Sequence, residues 1–146
     1  MKDRPILLVE DNPDDEALTM RAPKKCNVTN KIIVARDGAE ALDRLFGTGE
    51  YKDRGAVNPA VVLLDLKLPK IDGLEVLRRV RENEGTKRVP VAVLTSSDEQ
   101  EDMVRSYDLG ANSYVRKPVL FERFSEAVSQ LGLYWVLLNE PPPKTG

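Results

Sequence analysis

A chain of 146 residues with 22 basic and 24 acidic side chains, a net charge of −2 and 41% hydrophobic residues has the make-up of one globular domain. The near balance of charge gives no electrostatic reason to expect nucleic acid or an anionic membrane as partner, and no apolar run reaches the ~20 residues of a membrane span. Histidine is absent and Cys26 is the one cysteine, which excludes a Ser-His-Asp triad, a histidine zinc site and an internal disulfide, and points to a reducing, cytoplasmic compartment.

The first apolar run, Pro5 to Val9, reads as a buried strand, entered directly after a short polar start without signal-peptide layout. It gives way to Glu10-Asp11-Asn12-Pro13, and then Asp14, Asp15 and Glu16 complement the dipole of a first helix. Pro23 predicts that this helix kinks or ends near Ala22, because an interior proline costs about 3 kcal/mol. Lys31 to Ala35 is a second strand, and Ala39, Leu42, Leu45 and Phe46 share one face of a second helix. Gly47 to Pro59 is a polar surface loop. The third strand, Ala60 to Leu64, closes on Asp65, and Asp72 caps a helix whose apolar stripe is Leu74, Leu77 and Val80. Val89 to Leu94 is a fourth strand closing on Thr95; Asp98 suits the start of the next helix and Gly110 its end. Ser113 to Val115 is a fifth strand, followed by Lys117-Pro118 and a stripe of Phe121, Phe124, Val128 and Leu131. That stripe continues through Trp135 and Leu138 with coiled-coil spacing. We therefore divide the chain into a domain over residues 1–132 and an extension over 133–146. The extension is an apolar helix continuation, hydrophobic all round and hence buried, then a Pro-rich tail expected to be disordered. That length leaves no room for a DNA-binding output unit.

Five strand–helix units in sequence predict an α/β fold, a parallel sheet with helices on both faces. By analogy with the flavodoxin-like arrangement, the expected strand order is 2-1-3-4-5, with an extended C-terminal helix. Such sheets work at the carboxyl ends of their strands. Glu10 and Asp11, Asp65, Thr95 and Lys117 each stand at one of those ends. Singly, each has a plain reading as a turn, a helix cap or a strand exit. Jointly they form a coherent set: three carboxylates that need a hard cation such as Mg²⁺, a hydroxyl, and an ammonium suited to a phosphate oxygen. A carboxylate is also a competent nucleophile toward phosphorus.

These stretches resemble the receiver domains of two-component response regulators. The resemblance is carried by Ile6-Leu7-Leu8-Val9-Glu10-Asp11-Asn12, by Val62-Leu63-Leu64-Asp65-Leu66-Lys67-Leu68-Pro69 with Asp72-Gly73, by Val93-Leu94-Thr95-Ser96, and by Tyr114-Val115-Arg116-Lys117-Pro118. It implies that Asp65 is the phosphoacceptor, served by Lys117 and Thr95. It implies Mg²⁺ held by Asp11, Asp65 and the backbone carbonyl of Lys67, with Glu10 acting through a water. Thr95 and Tyr114 match the family's switch pair, and the bond to Pro118 is expected to be cis. Receivers more often carry two aspartates where Glu10-Asp11 stands. Together with Leu133-Tyr134-Trp135-Val136-Leu137-Leu138, the pattern is similar to stand-alone regulators paired with phytochrome-type sensor histidine kinases. The expected assembly is a homodimer through the last strand and the fourth and fifth helices, with Phe121, Phe124, Trp135 and Leu138 at the interface. Folding of the apolar extension back onto its own domain stands beside it. Three other functions also stand as alternatives: an aspartate-nucleophile phosphatase of the haloacid-dehalogenase type, a flavin or nucleotide binder, and a degenerate receiver that acts only as an interaction module.

Overall fold

The computed structural model describes residues 4–96 and 100–130, apart from the side chain of Phe121. Its strands are β1 (Ile6–Val9), β2 (Ile32–Ala35), β3 (Val61–Asp65), β4 (Val91–Thr95) and β5 (Ser113–Arg116). Its helices are α1 (Pro13–Lys25), α2 (Gly38–Phe46), α3 (Gly73–Glu82), α4 (Gln100–Asp108) and α5 (Phe121–Gln130). The five strands form one parallel sheet in the order β2-β1-β3-β4-β5, as the strand–helix alternation predicts.

Successive side chains on a strand point to opposite faces, and here both faces are covered. Ile6, Leu8, Val61, Leu63 and Leu94 pack toward Ala22 of α1 and Phe124, Ala127 and Val128 of α5. Leu7, Val9, Val62, Leu64 and Val93 pack toward Leu42 and Leu45 of α2 and Val76, Leu77 and Val80 of α3. That double burial is why β1, β3 and β4 are unbroken apolar runs. The edge strand β2 is half-buried over Ile32 to Val34. Because the strands are parallel and nearly in phase, with Val9 beside Leu64 and Thr95 beside Arg116, their carboxyl ends gather along one rim.

Local chemistry sets the ends of the elements. Asn12, Asp37 and Asp72 cap α1, α2 and α3, each accepting from backbone N–H groups of the first turn. Gly47 closes α2 in the left-handed conformation, and Gly110 takes a positive φ just beyond α4. The first helix corrects one half of the sequence expectation: α1 runs through Pro23 to Lys25 instead of ending near Ala22. Pro23 lies in the last turn, where its missing N–H weakens a ladder about to stop. The chain then folds back, with Cys26 and Val28 donating to the carbonyl of Pro23 at 3.1 and 2.9 Å. The fourth strand starts at Val91 rather than Val89, since Pro90 has no N–H to donate, although its carbonyl accepts from Val62 at 2.9 Å. The polar loop after α2 holds a short 3-10 helix, Gly49–Tyr51, that the sequence did not announce. The Arg44 guanidinium sits 4.3 Å from the Tyr51 ring centre there. Asp98 and the extension at 133–146 lie outside the described residues, as does the predicted continuation of the last helix.

Helix α2 starts against the loop that leads into α3. A Cβ on Gly38 would stand 2.0 Å from the Ile71 carbonyl oxygen, a backbone atom that cannot swing aside. We expect Gly38→Ala to destabilise the fold by about 1–3 kcal/mol, the scale of an overpacked site. Urea unfolding at neutral pH checks this; an unchanged midpoint would mean that the turn is free to open.

Candidate functional site

The rim is built from strand ends. Glu10 follows β1 and stays tied to the sheet, its N–H donating to Ala35 O at 2.9 Å, so its side chain is fixed in the interior, 0% exposed. Asp65 is the last residue of β3 and is buried; its Oδ1 accepts the Lys67 N–H at 3.1 Å. Lys117 stands just beyond β5, where its N–H donates to Thr95 O at 2.7 Å and its bond to Pro118 is cis, as the resemblance implied. Its ammonium lies 2.7 Å from Glu10 Oε1, 2.8 Å from Asp65 Oδ2 and 3.0 Å from Asp15 Oδ2. Thr95 ends β4 and is buried; Tyr114 is half-buried on β5 and packs on the α2–α3 side of the sheet. Asp11 is exposed at the mouth. One carboxylate oxygen each from Glu10, Asp11 and Asp65 falls within 4.8 Å of the others.

Sequence reasoning thus placed Glu10, Asp11, Asp65, Thr95 and Lys117 correctly along one rim. It missed two residues. Asp15 was assigned to the helix dipole alone, yet it contacts an ammonium 102 positions away. No local signal in the sequence singles it out from Asp14 and Glu16 in the same first turn. Gly73 figured only as part of a motif. A Cβ there would meet Asp65 O at 2.3 Å, and the Gly73 N–H donates to Leu66 O at 2.9 Å. Its bareness lets α3 press against the end of β3 and hold Asp65 in place.

Electrostatics follow from this crowding. Burial, followed by the neighbouring Asp65, pushes the Glu10 carboxyl up to about 7, against the pull of Lys117. Burial alone would lower the Lys117 ammonium, but Asp65, Glu10 and Asp15 outweigh it and hold it charged well above its ordinary range. Glu10 Oε1 is buried beside that charge without an aligned hydrogen bond. Three carboxylates packed against one ammonium leave negative charge in excess. The donor set is all oxygen, compact and partly open to solvent, which fits a hard divalent cation.

The model of the response regulator receiver domain matches residues 6–129 of the chain. The chain belongs to the response-regulator receiver family. It is 42% identical over 137 residues to the probable methanogenesis regulatory protein FilR2 of Methanothrix harundinacea, covering 94% of this chain and 86% of that one. The structure of the bacteriophytochrome response regulator AtBRR is 57% identical, with a TM-score of 0.83, over 94% of this chain and 99% of that one. The manganese-bound form of the response regulator Rcp1 is 35% identical, with a TM-score of 0.74, over 95% of this receiver and 99% of that one. This receiver is therefore closely related to phytochrome-associated response regulators. Its acidic cluster suits metal-dependent phosphorylation, and it is a phosphoacceptor rather than an enzyme with a substrate of its own. The phosphatase and nucleotide-binding alternatives fall with that membership. Among the described residues, no helix is long and apolar enough to cross a membrane.

Proposed function

We propose that this receiver takes a phosphoryl group from a histidine of a sensor kinase onto Asp65. The observation that carries this is the Asp65 carboxylate, buried at the end of β3 with Lys117 Nζ 2.8 Å from its Oδ2 and two further carboxylates beside it. A carboxylate oxygen of Asp65 forms a bond to phosphorus as the P–N bond to the donor imidazole breaks, the electron pair leaving with the imidazole. Lys117 holds the charge of the phosphoryl oxygens, and Thr95 offers a hydroxyl from the end of β4. Mg²⁺ would be held by Asp11, Asp65 and the Lys67 backbone carbonyl, with Glu10 acting through a water. When bound, it supplies positive charge that offsets the crowded oxygens.

Conformational output runs through Thr95 and Tyr114, the hydroxyl moving toward the phosphoryl group and the ring turning inward. The 57% identity to a bacteriophytochrome response regulator supports a phytochrome-type kinase as the donor. A homodimer through β5, α4 and α5 is supported by Val104 and Tyr107, which expose apolar surface one turn apart on α4. Phe121, Trp135 and Leu138 would join that interface from the end of α5 and from an extension beyond a domain at 1–132. Phe124 is buried in the core and anchors α5 from inside. With a balanced charge and one cysteine, the chain works in the cytoplasm.

Incubation with acetyl phosphate and Mg²⁺, followed by intact mass, tests the assignment. The wild type gains one phosphoryl group, stable in acid and lost in base, and Asp65→Asn gains none. A wild type that stays unmodified would leave only the interaction-module reading.

A further inference from the structure

The Lys117 ammonium donates to Asp65 Oδ2 at 2.8 Å and to Asp15 Oδ2 at 3.0 Å, and Glu10 Oε1 stands 2.7 Å away in ion contact without an aligned hydrogen bond. A phosphoryl oxygen arriving on Asp65 therefore meets an ammonium already surrounded by three carboxylate oxygens within 3.0 Å. One carboxylate has to let go.

The three are not equal. Glu10 is wholly buried, so parting it from the ammonium leaves a carboxylate in the interior without its ion-pair partner. Asp65 is the residue being modified. Asp15 makes the longest of the three contacts, and its side chain is 37% exposed while that of Lys117 is 10% exposed. Water replaces the ammonium around Asp15 at little cost. Its backbone also stays in place, because its N–H is held by Asn12 Oδ1 at 3.1 Å whatever its side chain does.

We propose that the Asp15 carboxylate occupies the place beside Lys117 that a phosphoryl oxygen will take, and leaves as Asp65 is modified. The inference rests on Asp65 being the phosphoacceptor. With acetyl phosphate as donor, an oxygen of Asp65 bonds to phosphorus, the acyl phosphate P–O bond breaks, and acetate departs with that electron pair. As the phosphoryl oxygens come within reach of Lys117, the Asp15 carboxylate moves out to solvent. Until it does, its negative charge opposes the incoming anion. When the phosphoryl group is hydrolysed, Asp15 returns to the ammonium. Asp15 thus competes with the phosphoryl group for one cation, weakening capture of the donor and hastening return to the resting arrangement.

The test compares wild type, Asp15→Asn and Asp15→Glu, with Mg²⁺ present throughout. Intact mass follows the phosphorylated fraction against acetyl phosphate concentration, and its decay after the donor is removed. Asp15→Asn keeps the size and removes the charge. It should lower the half-saturating donor concentration by about three- to tenfold, the scale of one partly screened unit charge, and lengthen the decay. Asp15→Glu should restore wild-type values, which a purely structural role would not require. Identical concentration dependence in Asp15→Asn and wild type overturns the proposal, as does a rise in half-saturation. A wild type that takes up no phosphoryl group overturns instead the assignment of Asp65.

Discussion

Lys117→Met is expected to lose phosphorylation and part of the fold's stability together. Methionine matches the aliphatic stem of lysine but leaves Glu10 and Asp65 buried against each other without the ammonium that separates them. Breaking a buried ion pair by removing one partner typically costs about 3–5 kcal/mol, because a charge is left uncompensated. Glu10 has an escape, since its carboxyl already titrates near 7 and takes a proton when the ammonium goes. The penalty should therefore approach ~3 kcal/mol at pH 8 and shrink clearly by pH 5.5. Chemically, the loss of a preorganised charge at the phosphoryl oxygens should slow acetyl phosphate turnover by about 10²–10³-fold. Urea unfolding in EDTA at the two pH values, with phosphorylation rates by intact mass, reads both effects. Equal destabilisation at both pH values would show that Glu10 does not take up the released charge.

Much of this was legible because a doubly covered parallel sheet writes itself in plain residues. Strands such as Ile6–Val9 and Val61–Leu64 are apolar on both faces, so the first polar residue after each run marks the rim. Glu10, Asp65 and Thr95 were found that way, and Lys117 from its place beside Pro118 just past the fifth strand, with no knowledge of distances. What sequence could not supply was contact between elements that share no local pattern. Asp15 sits among three acids at the start of α1, and nothing in that run distinguishes the one that meets Lys117 from those that serve the helix dipole. Gly38 and Gly73 begin their helices and carry no side chain to join an apolar stripe, so their role in admitting the backbones of Ile71 and Asp65 depends on tertiary approach. Proline rules treat Pro23 as a helix breaker, but its cost depends on how many turns follow, and here the helix ends two residues later. Phe124 shares an apolar stripe with Val128, and periodicity alone does not say whether such a stripe meets the sheet or another molecule.

The metal-free receiver should be more stable at pH 5.5 than at pH 8, and divalent metal should reverse that order. Glu10 governs the sign. Its carboxyl is raised from an ordinary 4.5 to about 7, mainly by burial, so the folded state favours the protonated form. A group raised on folding contributes stability that is fully present below its unfolded value and lost as pH climbs through its folded value. The window here is 4.5 to about 7, and that interval corresponds to ~3 kcal/mol at about 1.4 kcal/mol per pH unit. Metal binding acts in the opposite direction, because the cation needs the deprotonated cluster and repays its crowding. Mg²⁺ should then raise the melting temperature more at pH 8 than at pH 5.5, and should release a fraction of a proton when it binds near pH 6 but almost none at pH 8. Calorimetric titration in buffers of different ionisation enthalpy measures that proton directly. Glu10→Gln should abolish the pH dependence of the metal-free midpoint between pH 5 and 8, since the amide keeps the shape and cannot ionise. If the variant retains the wild-type slope, Glu10 is not the titrating group.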